Sequence, residues 1–212
     1  MIRFVLSILF NFPLYISMII IALIMLLFAS DLSANEKSVY ELISINPDLS
    51  TFKKYIDNSD LDEVLKKKIP YDWTVYAPSN IAFENIPDEL KDSILNNNFY
   101  SKRLFTDHIL SKQIVSSQLS EKIVTELTVS NKPVQLYKVE NLHIKDVVVI
   151  KKDLIADNGV VHIIDCIMFI QPSKQDDRLT LNQKKDFPIT SCCMQTDDEV
   201  KLWKLNTKQI KY

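Results

Sequence analysis

The residues able to do chemistry are few. His108, His143 and His162 could act as general bases or metal ligands, Asp107 and Asp165 as acids or orienting carboxylates, and Cys166, Cys192 and Cys193 as nucleophiles or thiolate ligands. Spacing decides among these uses. A local zinc motif such as HExxH puts two imidazoles on one helix face, and no such pair occurs in this chain. The nucleophile elbow GxSxG is absent too, and Cys192-Cys193 is remote in sequence from every histidine. The chain holds one glycine, Gly159, although average usage is about 7%. Phosphate-cradling loops and dinucleotide turns need several glycines, because only glycine lets the backbone fold that tightly around a ligand. P-loop enzymes and Rossmann dehydrogenases are excluded. No catalytic residue, no metal site and no cofactor is predicted.

Bulk composition narrows the class of partner. With 47% hydrophobic and 25% charged residues over 212 positions, the chain carries one folded domain plus extras. A net charge of −2 leaves no basic excess to neutralise phosphates, so nucleic acid is not an expected partner. Three cysteines cannot all pair within one molecule. Cys166 reads as a small buried hydrophobe within an apolar strand. Adjacent Cys192 and Cys193 rarely bond to each other, which leaves two readings for a monomeric protein: both are free thiols, or one of them links two chains.

The elements that must position these residues follow from periodicity. Arg3 precedes an uncharged run over residues 4–29, longer than a secretory h-region and close to the ~20 residues of a membrane span. Residues 1–34 are therefore either an uncleaved transmembrane anchor, touching the membrane through residues 4–29, or a signal peptide cut after "LSA". Both place the remainder outside the cytoplasm. Leu49, Phe52, Tyr55 and Ile56 recur at helical spacing, as do Leu61, Val64 and Leu65 behind a predicted Asp60 N-cap. "WTVY" reads as a strand, Pro78 stops it, and Ser79 caps a following turn of helix. Helices continue from Pro87 to "TDHIL".

Beyond residue 114 short β segments alternate with turns: "KIVTELTV", "VQLYKV", "LHI", "VVVI" and "DLI". Asp157-Asn158-Gly159 is the strongest hairpin signal, predicting a tight primed turn with positive φ at its centre. In the strand that follows, Val160, His162, Ile164, Cys166 and Met168 share one face, and Val161, Ile163, Asp165, Ile167 and Phe169 the other. Both faces are mostly apolar, so this strand belongs in the middle of a sheet. His162 and Asp165 point to opposite sides and cannot form an acid–base pair; both are expected as satisfied buried polar groups.

Three segments carry a resemblance. "TVYAPSNIAF" (74–83), "DHIL" (107–110) and "NGVVHIIDCIMF" (158–169), in this order and with these gaps, resemble the signature segments of the fasciclin domain. Thr74, Val75, Tyr76, Ala77, Pro78, Asn80, Ala82 and Phe83 fit the first, and Asn158, Gly159, Val160, His162, Ile164 and Asp165 the last; these are expected to be structural. In the middle segment His108, Ile109 and Leu110 fit, while Asp107 stands where tyrosine is usual. The resemblance covers about Val39 to Pro172. It implies a domain at 39–172 with an α+β fold, a wedge of short antiparallel strands with helices packed around it, followed by a polar tail over 173–212.

The function implied is a non-enzymatic extracytoplasmic adhesion or binding module that recognises a protein or glycan partner. In animal members the middle segment has been linked to integrin binding. A partner contact here would therefore fall on Asp107, His108 and Ile109, with Asp107 either holding the His108 imidazole or raising its pKa. Two other readings stay open: a carrier or sensor of a small apolar ligand, which needs an internal pocket of roughly 300 Å³ or more, and an exported hydrolase, which needs a convergent nucleophile and base.

Overall fold

The computed structural model describes residues 37–84, 86–145, 147–169 and 196–209. Helix α1, Val39–Ile45, starts at a capping box in which Ser38 and Glu41 satisfy each other's backbone N–H groups. A turn of 3₁₀ helix over Pro47–Leu49 leads into α2, Ser50–Asn58, and the short α3, Asp62–Leu65. Asp60 does not cap α3 as the spacing predicts. It takes a left-handed φ of 56° in the turn between the helices, a conformation that aspartate tolerates better than most residues. Strand β1 is Trp73–Pro78, and the Ser79 hydroxyl accepts the Ala82 N–H to start a 3₁₀ turn at Asn80–Phe83. Helix α4, Asp88–Leu90, runs into a π turn at Lys91–Leu95, and α5 follows at Asn98–Thr106.

The remaining strands are β2 (Ile109–Leu110), β3 (Val124–Leu127), β4 (Pro133–Lys138), β5 (Leu142–Ile144), β6 (Val147–Ala156) and β7 (Gly159–Ile164). They form one seven-stranded sheet in the order β2-β1-β7-β6-β5-β4-β3. Its two edges touch, since Leu110 bridges Thr128 and the Val129 N–H donates to the Ile109 carbonyl at 2.7 Å. The sheet thus curls almost into a barrel. Most pairings are antiparallel as expected, but β1 and β7 run parallel from Trp73↔Gly159 to Pro78↔Ile164. "VVVI" and "DLI" are one strand, β6, whose register against β7 shifts between Val149 and Leu154, with Asp153 at a φ of 59°. Such a bulge lets one strand bend enough to serve both halves of the curl.

Two apolar clusters explain why β7 is buried on both faces. Val161 and Ile163, with Val75 and Ala77 of β1, face the helices and pack with Phe52, Ile56, Leu104 and Phe105. Ile164 and Tyr76 face into the curl with Leu136, Ile144, Val147 and Met168. This is the period-two alternation read from the sequence, now with a partner for each side. Strand β7 ends at Ile164, so Asp165 lies beyond it and is exposed rather than buried.

A last helix, α6, Asp197–Gln209, packs on α4 and α5. Its Trp203 is 2% exposed and meets Phe169 edge-to-face at 5.7 Å and Tyr100 at 6.4 Å. The transmembrane helix and membrane contact expected through residues 4–29 are corrected: no helix among the described residues is long and apolar enough to cross a membrane, and residues 4–29 lie outside them. Cys166 is half-buried and disulfide-bonded, which corrects its reading as a buried apolar thiol. Cys192 and Cys193 lie outside the described residues.

Candidate functional site

The three signature segments converge where β1, β7 and β2 lie side by side. Several polar residues in them tie a loop or helix to that central ribbon. Thr74 Oγ1 donates to the Lys112 carbonyl at 2.5 Å and accepts the Ile114 N–H at 2.9 Å, fixing the chain just after β2. Asn80 accepts the Thr51 N–H at 2.9 Å and donates to the Pro47 carbonyl at 2.8 Å, holding the start of α2. Asn158 is buried in the β6–β7 turn: its Oδ1 accepts the Val39 N–H at 2.7 Å, and its Nδ2 donates to the carbonyls of Leu65 and Lys67. One side chain therefore locks the first helix and the end of the third to the sheet. Ala77, Pro78, Ala82 and Phe83 supply the close packing between β1 and the turn that follows it.

Gly159 is required for a reason other than the predicted primed turn. Neither Asp157 nor Asn158 takes a positive φ; Gly159 itself, the first residue of β7, has φ +154°. A Cβ placed there would meet the Trp73 carbonyl oxygen at 2.2 Å. The parallel approach of β1 fills the space that a side chain would need.

Both motif histidines are interior and fully used. His108 Nδ1 lies 3.1 Å from the Leu104 carbonyl, to which it donates, and Nε2 accepts the Met168 N–H at 2.9 Å. Burial lowers its pKa to about 4, so the ring is neutral at pH 7. His162 Nε2 lies 2.8 Å from the Ile114 carbonyl and Nδ1 accepts the Asp153 N–H at 3.1 Å. Its ring stacks on Tyr76 at 5.3 Å, and burial lowers its pKa as well. Neither imidazole has a nitrogen left to move a substrate proton. His143 sits apart on β5, stacked on Tyr137 at 4.8 Å.

Asp107 does not hold His108, and the pKa of His108 moves down rather than up. The Asp107 carboxylate turns instead to Lys132 Nζ at 2.6 Å and to the Ser130 hydroxyl, with all three residues buried. Burial pushes the Asp107 carboxyl up, against the pull of Lys132 and Ser130. Lys132 is the participant that sequence reasoning missed, because "SNKP" reads only as a turn. The signal was Asp107 itself: a carboxylate in an apolar segment needs a buried cation. Asp107 and His108 are fully buried and Ile109 is 1% exposed, so the side chains predicted to meet a partner are inside the molecule.

Among the described residues no group of histidines, cysteines and carboxylates could hold a metal ion. What remains is a scaffold in which Thr74, His108, Asn158 and His162 are turned inward. The family model described as the fasciclin domain matches residues 47–170, more than half of the chain. The chain belongs to the fasciclin domain family. It is 28% identical to human periostin over 151 residues, 71% of this chain and 18% of periostin. It is 30% identical to the pig transforming growth factor-beta-induced protein ig-h3 over 148 residues, 68% of this chain and 21% of that protein. The chain thus spans about a fifth of these animal relatives. It spans 98% of the protein sll1735 of Synechocystis, 26% identical over 63% of this chain. A solved fasciclin domain pair from the insect cell adhesion molecule Fasciclin I shares the fold at a TM-score of 0.54 and 18% identity, covering 63% of this chain and 51% of the pair.

Proposed function

We propose that this protein is an exported attachment module that recognises a protein or glycan partner through its surface, outside the cytoplasm. The observation that carries the reading is the use of five motif polar side chains to hold the domain's own backbone. Thr74, Asn80, His108, Asn158 and His162 each hold backbone groups of the domain itself. Such a module offers a partner a stiff surface that loses little entropy on binding. Insect Fasciclin I, whose domain pair shares the fold, is described as a cell adhesion molecule. Export agrees with the apolar N-terminal run of the sequence and with the disulfide at Cys166, since such bonds persist in oxidising compartments.

The test has two parts. Fractionation of expressing cells with intact-mass analysis should recover the protein outside the cytoplasm; recovery only from the cytosol with residues 1–34 retained would refute export. Beads coated with the full chain should be retained on cells or extracellular matrix more than beads coated with heat-denatured protein. Equal retention would refute the attachment role.

A further inference from the structure

The most exposed large apolar side chain among the described residues belongs to the first signature segment: Ile81 is 67% exposed. It lines a cleft of about 310 Å³ together with Ile150, 54% exposed, and the buried Ile163. Strand β6 reaches this cleft through its bulge. Val149 pairs with Ile164 and Lys151 with Ile163, so Ile150 is the extra residue, and Ile150 and Lys151 are both exposed where a regular strand would turn one of them inward. The other side is fixed by Asn80, whose Nδ2 donates to the Pro47 carbonyl at 2.8 Å and so ties the turn that carries Ile81 to the 3₁₀ turn that carries Asp48. Both sides of the cleft are thus built before any ligand arrives, which keeps the ordering cost of binding low. Its charged residues are Asp48 and Lys151, one of each sign. Among the described residues neither is paired with a charged side chain of the domain, and they do not pair with each other.

We propose that this cleft binds a small zwitterion with an aliphatic body, the chemistry of a free aliphatic α-amino acid, with its carboxylate at Lys151, its ammonium at Asp48 and its side chain against Ile81 and Ile150. This goes beyond the attachment reading, which stands or falls without it. The volume lies at the lower end of the roughly 300–1,000 Å³ of small-molecule sites, which suits one small ligand. The charges then select among small ligands. An aliphatic carboxylate meets Lys151 but brings its negative charge toward Asp48, and an aliphatic amine meets Asp48 but brings its positive charge toward Lys151. A ligand that carries both charges and an apolar body answers the acid, the cation and the isoleucines together.

The experiment titrates the full chain with L-leucine by saturation-transfer NMR, beside glycine, 4-methylpentanoate and 3-methylbutylamine, which lack in turn the aliphatic body, the ammonium and the carboxylate. Leucine should bind saturably and about tenfold more tightly than each of the three, a difference of ~1.4 kcal/mol. In Lys151→Gln the preference over 3-methylbutylamine should disappear, and in Asp48→Asn the preference over 4-methylpentanoate. Both residues are exposed, so the thermal midpoints should stay in place, and a change of selectivity is a readout that a loss of fold would not mimic. Saturable leucine binding with these two selectivity changes supports the site. Absence of saturable leucine binding, equal binding of leucine and its fragments by the parent, or survival of either preference in its variant would overturn the proposal.

Discussion

Two positions show how much of this fold depends on single residues. Gly159 has both a conformation that side chains resist and no room for one, since the added carbon would lie 2.2 Å from a backbone oxygen of β1. Strain and displacement of a central strand should together cost Gly159→Ala about 2–4 kcal/mol, read as a lower urea midpoint. An unchanged midpoint would mean that β1 does not approach β7 this closely. Asp107 and Lys132 form the second case, with side chains 0% and 3% exposed at 2.6 Å. Removing one partner strands the other charge, so Lys132→Met should cost about 3–5 kcal/mol. The double variant Asp107→Leu/Lys132→Met removes both charges and should recover most of that loss. A double-mutant cycle in urea checks it; a double variant no better than Lys132→Met would show that the surrounding packing, not the stranded carboxylate, sets the cost.

At the scale of elements, α6 makes the sharpest forecast because it lies beyond the stretch matched by the family model, which ends at residue 170. Its anchor is Trp203, held by Phe169 and Tyr100 and lying 5.8 Å from Lys132 Nζ. Truncating a buried tryptophan costs about 3–5 kcal/mol, so Trp203→Ala should lower the thermal midpoint of the whole domain and not merely free the helix. A loss of helical signal at an unchanged midpoint would show that α6 is an attachment rather than part of the core. What sequence reading could and could not see follows the same division. The two-sided apolar pattern of β7 was legible because strand periodicity is local, and so was the Ser79 cap. The parallel pairing of β1 with β7 was not, because nothing in Trp73–Pro78 encodes the direction of a strand some 80 residues later. The need for glycine at 159 was visible, but its cause lies on that distant strand. The candidate site was less legible still: the buried pair joins positions 107 and 132, which no local pattern links.

For the molecule as a whole, the buried imidazoles set a limit on acid stability. His108 titrates near 4 in the folded protein against 6.5 for an imidazole in water, because burial penalises the charged ring. Between these values the unfolded chain binds a proton that the folded one does not, so stability falls as pH drops from 6.5 toward 4 and levels off below. A shift of this size corresponds to roughly 3 kcal/mol at the acid end of the window, a large share of a typical domain's 5–15 kcal/mol. His162 moves in the same direction for the same reason. Asp107, whose carboxyl is pushed up by burial, acts the other way, since its folded form takes a proton more readily than the unfolded chain. Asp107 offsets part of the decline where the unfolded carboxyl is still ionised, but two imidazoles set against one carboxyl leave the net slope downward. Urea midpoints measured at intervals from pH 7.5 to about pH 4.5 should therefore decline steadily. In His108→Gln the amide can donate to the Leu104 carbonyl and accept the Met168 N–H without titrating, so the decline should become shallower while the midpoint near neutrality changes less. The same slope in parent and variant would place the acid sensitivity elsewhere and require the His108 ring to reach water in the native state.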